Sequence, residues 1–270
     1  MYVGGIEGDT MAKNEVLLEV TEKHLNTGLR GIPVGTCRTS FVTPSEGVHY
    51  CGYPITELAS FEPEDIIYLL FNKELPTAEQ SAAIRQDLAS RAAVPGDLES
   101  VLKALPKFGH PMDWLSVGIH TLGMLETTND WKEDALNLIA RMPRLMGLIF
   151  RIREGREENI PADDTSLSMV ERFVRTLDID DADDEKMKQI ISTYLVLHMD
   201  HGGGNLSTFA GKAIASSKAT VYSSMAGAMN ALSGPLHGRA NQSCLEFVLK
   251  VGTSDPVEVE AFVRAELKAN

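Results

Sequence analysis

From about residue 62 onward, apolar residues recur three and four apart in one segment after another, and no strand-like alternation interrupts them. That single pattern restricts the chain to a helical architecture. The alternation of strand and helix needed for a nucleotide-binding sheet is absent. Local signals punctuate the helices. Glu62-Pro63-Glu64-Asp65 places proline and acids in a first turn, with Ile66, Ile67, Leu69 and Leu70 forming the apolar face behind them. Thr77 followed by Gln80 reads as a capping box. Met187, Ile190, Ile191, Tyr194, Leu195 and His198 share one stripe of a helix over Lys186–His198. Small residues fill a helix over Ser223–Leu232, Gly234-Pro235 breaks it, and a further helix is expected from about His237 to Lys250. Asp255, Pro256 and Glu258 cap and open a last one. Before all of these, two runs of β-branched and aromatic residues flank the turn Pro44–Gly47 and predict one hairpin. The expectation is an all-α fold of about a dozen helices with a small N-terminal β-hairpin.

Composition narrows the function. At 270 residues the chain holds one large domain, or one domain and part of a second. The net charge of −13 argues against nucleic acid or an anionic membrane surface as a partner. Part of that charge is the run Asp178, Asp180, Asp181, Asp183, Asp184 and Glu185, read as a solvated loop and helix start. Three cysteines, Cys37, Cys51 and Cys244, form no CxxC pair, which fits reduced thiols in a reducing compartment. The N-terminus lacks a basic stretch followed by an apolar one, and no apolar run is long enough to cross a bilayer. The expected location on these grounds is the cytoplasm.

Two segments carry histidines beside glycines: His198-Met-Asp200-His201-Gly-Gly-Gly-Asn205-Leu-Ser207 and Gly234-Pro-Leu-His237-Gly-Arg-Ala-Asn241. Glycines at helix ends leave backbone groups free to meet a ligand. A neutral imidazole at a helix N-terminus can donate a hydrogen bond to a carbonyl oxygen as charge builds on it. Spacing alone favours a capping or packing role for His237, and Ser207 reads as an N-cap as readily as a site residue. A metal pair of His198 and His201 is disfavoured, because no third ligand follows at a standard spacing. His198, lying on the apolar stripe, is expected to be a satisfied, partly buried histidine. The triple glycine Gly202–Gly204 follows a helix and makes neither GxGxxG nor a Walker loop.

Taken together, the stretch from His198 to Asn241 resembles the central signature of the citrate synthases: His-x-Asp-His, then Asn-x-Ser, then Gly-Pro-Leu-His-Gly. Earlier elements agree in order: Gly28-Leu-Arg-Gly31, Gly52-Tyr-Pro-Ile-Thr-Glu-Leu58, Tyr68-Leu-Leu-Phe71 with Glu74-Leu-Pro-Thr77, and His110-Pro-Met-Asp113. Departures are small: Cys51 stands where many members have arginine, and Gly202 where some have glutamate.

The resemblance implies an acyltransferase that condenses acetyl-CoA with oxaloacetate to citrate and CoA in the tricarboxylic acid cycle, with no metal and no cofactor beyond its substrates. It implies catalytic roles for His237, which would hold the thioester carbonyl, and for Ser207, which would support that histidine. His201 and Asn205 would bind oxaloacetate, and Leu236 would meet the acetyl-CoA tail. It implies a homodimer, with small-residue helices such as Ser223–Leu232 and His110–Leu125 as candidates for close packing. The domain expectation is a large helical domain over 1–236 and the start of a small domain over 237–270. The resemblance also implies a carbon base, an aspartate well downstream, and a second histidine in a Gly-His-x-Val type motif that polarises the ketone; the chain has no histidine beyond Asn241, and Asp255 reads as a helix cap. The 270 residues alone are therefore expected to be inactive. Two other readings stay open: a 2-methylcitrate synthase acting on propionyl-CoA, and a non-catalytic half-protein that binds a ligand or partner.

Overall fold

The computed structural model describes residues 16–26, 32–33, 35–179, 182–200 and 202–269. After a short 3-10 helix at Glu22–Asn26 comes a three-stranded antiparallel meander: β1 (Ser40–Thr43), β2 (Gly47–Tyr50) and β3 (Tyr53–Pro54). The hairpin expected from the sequence is β1–β2, with Ser40 opposite Tyr50 and Thr43 opposite Gly47. The third strand is two residues long, too short to leave a periodicity signal.

Twelve α-helices follow among the described residues: α1 (Ile55–Leu58), α2 (Pro63–Asn72), α3 (Ala78–Arg91), α4 (Gly96–Ala104), α5 (Pro111–Glu126), α6 (Trp131–Arg153), α7 (Met169–Leu177), α8 (Asp184–His198), α9 (Leu206–Ala215), α10 (Val221–Leu232), α11 (Ala240–Val251) and α12 (Pro256–Ala269). The expected caps are in place. Pro63 opens α2. Thr77 and Gln80 form a reciprocal capping box on α3, and Asp255 Oδ1 accepts from the amides of Val257 and Glu258 at the start of α12.

The main core joins α4, α5, α6 and α10 through Leu102, Leu122, Leu145, Leu148, Tyr222 and Ala226. A second cluster packs the sheet against α1, α2 and α8 through Tyr50, Leu58, Ile66, Leu69 and Val196. Small residues let α10 approach its neighbours closely. A Cβ added at Gly123 of α5 would lie 2.6 Å from Cβ of Tyr222, and one at Gly211 of α9 would lie 3.3 Å from Cβ of Ala228. The Tyr222 hydroxyl donates to Glu126 Oε1 at 2.8 Å, and Arg141 reaches the same oxygen at 2.7 Å. Burial pushes the Glu126 carboxyl above the usual range, and burial together with Glu126 raises the Tyr222 phenol. These contacts fix α10, which carries the candidate site at its C-terminal end.

Three expectations change. The α8 stripe is mostly open to solvent, with Ile190 and Tyr194 exposed, and Val196 is the buried residue of this helix. Helical spacing fixes which residues share a face, not whether anything covers it. His198 is accordingly exposed instead of partly buried; it stacks on Tyr194 and bonds the Tyr194 carbonyl at 2.8 Å through Nδ1. The helix expected from His237 begins at Ala240, because residues 233–239 form consecutive turns, with His237 N–H donating to Gly234 O at 3.0 Å. Neither α11 nor α12 contains a buried residue; they meet through Phe247 and Phe262, edge to face at 5.6 Å.

Candidate active site

Ser207 and His237 are thirty residues apart in sequence, and helix geometry alone brings them together. The link between α9 and α10 is five residues long, so the two helices run back along each other. The start of α9 therefore lies beside the turn that ends α10. His237 sits in that turn, half-buried, and its Nε2 is 2.9 Å from Ser207 Oγ. The backbone amide of Ser207 points at the same nitrogen, 3.3 Å away.

This geometry assigns the tautomer. A backbone amide can only donate, so Nε2 must accept and carries no proton. In the neutral ring the proton is then on Nδ1, which becomes the donor available to a ligand. A second proton on Nε2 would set one N–H against another. The helix terminus that meets His237 is thus the N-terminus of α9, not the start of its own helix as the sequence suggested. The N-cap of α9 is Asn205, with no side-chain capping bond, so Ser207 is the second helical residue and not the cap. Its hydroxyl is free of capping duty and is committed to His237 instead.

Gly238 is required here by packing. A Cβ at this position would lie 2.6 Å from Leu232 Cδ1 and 2.8 Å from the Leu232 carbonyl oxygen. Leu236, on the other side of His237, is fully exposed. His201 lies outside the described residues, as does the Gly28–Gly31 element. The structure thus brings Ser207 and His237 into contact, with Asn205 at the head of the same helix and Leu236 beside His237. Among the described residues, no group of three His, Cys, Asp or Glu side chains is arranged to hold a metal ion. The concave regions of about 630 and 500 Å³ lie elsewhere, around Arg85, Ser168 and Glu171.

Sequence reasoning missed the anchoring of the loop between α8 and α9. Asp200 accepts from the Thr39 hydroxyl and, at 2.9 Å, from the Gly202 amide. The Asp200 amide in turn donates to the Tyr50 hydroxyl at 3.3 Å. Thr39 and Tyr50 were legible only as residues of the hairpin, and nothing local links them to a position about 150 residues away.

Comparison with known proteins gives a concordant result. The family model "Citrate synthase, C-terminal domain" matches residues 28–270. Citrate synthase 4, mitochondrial, of Arabidopsis thaliana is 34% identical over 248 residues, covering 83% of this chain and 52% of that protein. The 2-methylcitrate synthase, mitochondrial, of Yarrowia lipolytica is 30% identical over 285 residues, covering 95% of this chain and 61% of that one. The crystal structure of citrate synthase from Thermotoga maritima superposes with a TM-score of 0.78 at 27% identity, covering 90% of this chain and 64% of that chain. The chain spans about half the length of the curated relatives it matches. The cytoplasmic expectation is overturned: the curated relatives are named as mitochondrial proteins. Unpaired thiols separate oxidising from reducing surroundings and cannot choose between two reducing ones.

Proposed function

The chain belongs to the citrate synthase family, and on that footing we propose that it supplies the carbonyl-activating half of a site that condenses acetyl-CoA with oxaloacetate. The observation that carries this reading is the pairing of His237 Nε2 with the Ser207 amide and hydroxyl. It leaves Nδ1–H as a neutral donor for the thioester oxygen while charge builds on it. Ser207 holds the ring in that tautomer. Asn205, at the head of α9, binds oxaloacetate together with His201, and Leu236 meets the acyl-CoA chain from its exposed position. The chemistry calls on no metal or organic cofactor, since a neutral donor on oxygen and a base on carbon suffice for enolisation. The base that the family resemblance implies downstream of Asn241 is not among the residues this site brings together.

The test is citrate formation from acetyl-CoA and oxaloacetate by the protein expressed from its own gene, with propionyl-CoA run in parallel. His237→Gln should lower turnover about 10²- to 10³-fold, as removal of one oxyanion donor does. Equal turnover in the variant would sink the assignment. Stabilisation of the parent by oxaloacetate, read as a rise in Tm, reports binding independently of turnover. The 2-methylcitrate alternative rests on the 30% identity to the Yarrowia lipolytica protein, and faster turnover of propionyl-CoA than of acetyl-CoA would establish it.

The proposed domain division is 1–236 and 237–270, supported by α11 and α12 burying no residue. The proposed location is the mitochondrion, after the named relatives. A homodimer is proposed on the apolar residues that α5 and α10 leave exposed: Val117, Met124, Leu125 and Met225. Sedimentation velocity at micromolar concentration should give a dimer; a monomer would overturn this.

A further inference from the structure

The loop joining α8 to α9 carries the two residues assigned to oxaloacetate, His201 and Asn205, yet its middle is Gly202–Gly204. Three consecutive glycines have no side chains with which to anchor themselves, and ordering them is entropically expensive. Gly202 sits at φ 75°, in the left-handed region. Something outside the loop must hold it, and every anchor described here comes from the N-terminal sheet and the segment leading into it.

Asp200 is the centre of that anchoring. Its Oδ1 accepts from the Gly202 amide at 2.9 Å, which ties together the residues on either side of His201. Its Oδ2 accepts from the Thr39 hydroxyl, 161 residues away in sequence. That hydroxyl has one proton, and it goes to the carboxylate. Cys37 Sγ, 3.5 Å from Thr39 Oγ1, is then the donor in their contact, so a thiol, a hydroxyl and a carboxylate are aligned in one direction. The backbone places Thr39 correctly, because its carbonyl accepts from Cys51 N at 2.7 Å at the edge of the meander. Tyr50, fully buried, closes the arrangement. Its hydroxyl accepts from the Asp200 amide and donates at 3.0 Å to the carbonyl of Val196, one of the last four of α8 that have no partner inside the helix. Gly203 faces the same segment, with a hypothetical Cβ 3.9 Å from Cβ of Cys37, and Lys212 Nζ reaches the Thr36 carbonyl at 3.4 Å.

We propose that the N-terminal sheet is the positioning device of the oxaloacetate loop, and that Thr39, acting through Asp200, is its specific positioning residue. The part of this that concerns oxaloacetate rests on the functional reading above; the part that concerns the loop does not.

The experiment measures two quantities on the same proteins: hydrogen exchange of the peptide covering 199–206 by mass spectrometry, and oxaloacetate affinity by calorimetry. The variants are Thr39→Val, Thr39→Ser and, as a control in the same sheet, Thr43→Val, whose hydroxyl serves only the turn amide of Glu46 among the bonds seen here. Thr39→Val should speed exchange of that peptide and weaken oxaloacetate binding, each by about 10- to 100-fold, the factor expected for a hydrogen bond to a charged group. Thr39→Ser keeps the donor and should restore both, and Thr43→Val should alter neither. Unchanged exchange in Thr39→Val would overturn the positioning role. Faster exchange with unchanged affinity would overturn its connection to substrate. A parent protein that fails to bind oxaloacetate would defeat the functional reading, and the exchange data would still decide whether Thr39 holds the loop.

Discussion

The pairs α9–α10 and α11–α12 are both helix hairpins with short links, and both are rich in apolar residues, yet only the first pair contains buried residues, all of them on α10. In the first pair, Gly211 and Gly227 face Ala228 and Ile214 so closely that no larger residue fits without movement, and α10 goes on to bury Tyr222 and Ala226 against α5 and α6. In the second pair, Leu245, Val248, Leu249, Val257 and Leu267 are between 58% and 76% exposed, and one aromatic contact joins the helices. The lesson is that amphipathic sequence proposes a face and a neighbour disposes of it. His237 is placed at the seam, in the last turns before packing gives out. Its ring is held from the well-packed side, by α9, and its neighbour Leu236 is open.

The same substitution made on both sides measures that contrast. Leu145 is fully buried in the main core, against Gly118 of α5. Leu145→Ala should cost about 2–5 kcal/mol, the range for large-to-small changes at buried positions. Chemical denaturation would show this as a large fall in midpoint at constant slope. Leu249→Ala in α11, where the side chain is 70% exposed, should change stability by less than about 0.5 kcal/mol. If the two substitutions cost the same, α11–α12 is packed as firmly in solution as the core, and the seam drawn at His237 is in the wrong place.

Much of the fold was legible because its signals are local. The Thr77–Gln80 box and Asp255 mark helix starts by hydrogen bonds within three residues of themselves, Pro63 does so by its fixed φ and missing N–H, and all three are found as read. The pairing of Ser207 with His237 was reachable only through family resemblance, since thirty residues separate them and spacing by itself favoured a capping or packing role for His237. Two site details were misread for physical reasons. The turns after Pro235 continue to residue 239, so His237 does not head a helix, and Asn205 takes the cap position one residue before α9, which frees Ser207. The Thr39–Asp200 contact was not legible at all, because a hydroxyl in a strand-leading segment has no sequence signature for a carboxylate so distant. Exposure on α8 escaped for the same reason: periodicity names a stripe without naming its cover.

The antiparallel α9–α10 hairpin also acts as a screw. Turning and advancing are locked together along a helix, at about 100° and about 1.5 Å for each residue. A single deletion inside the twelve residues of α10 would draw the turn after Leu232 back by that small distance while swinging it by more than a right angle. The imidazole would then face away from the head of α9. Lineages carrying this hairpin should therefore accept length changes in the link over 216–220 far more readily than within α10, and their alignments should show gaps in the first place and none in the second.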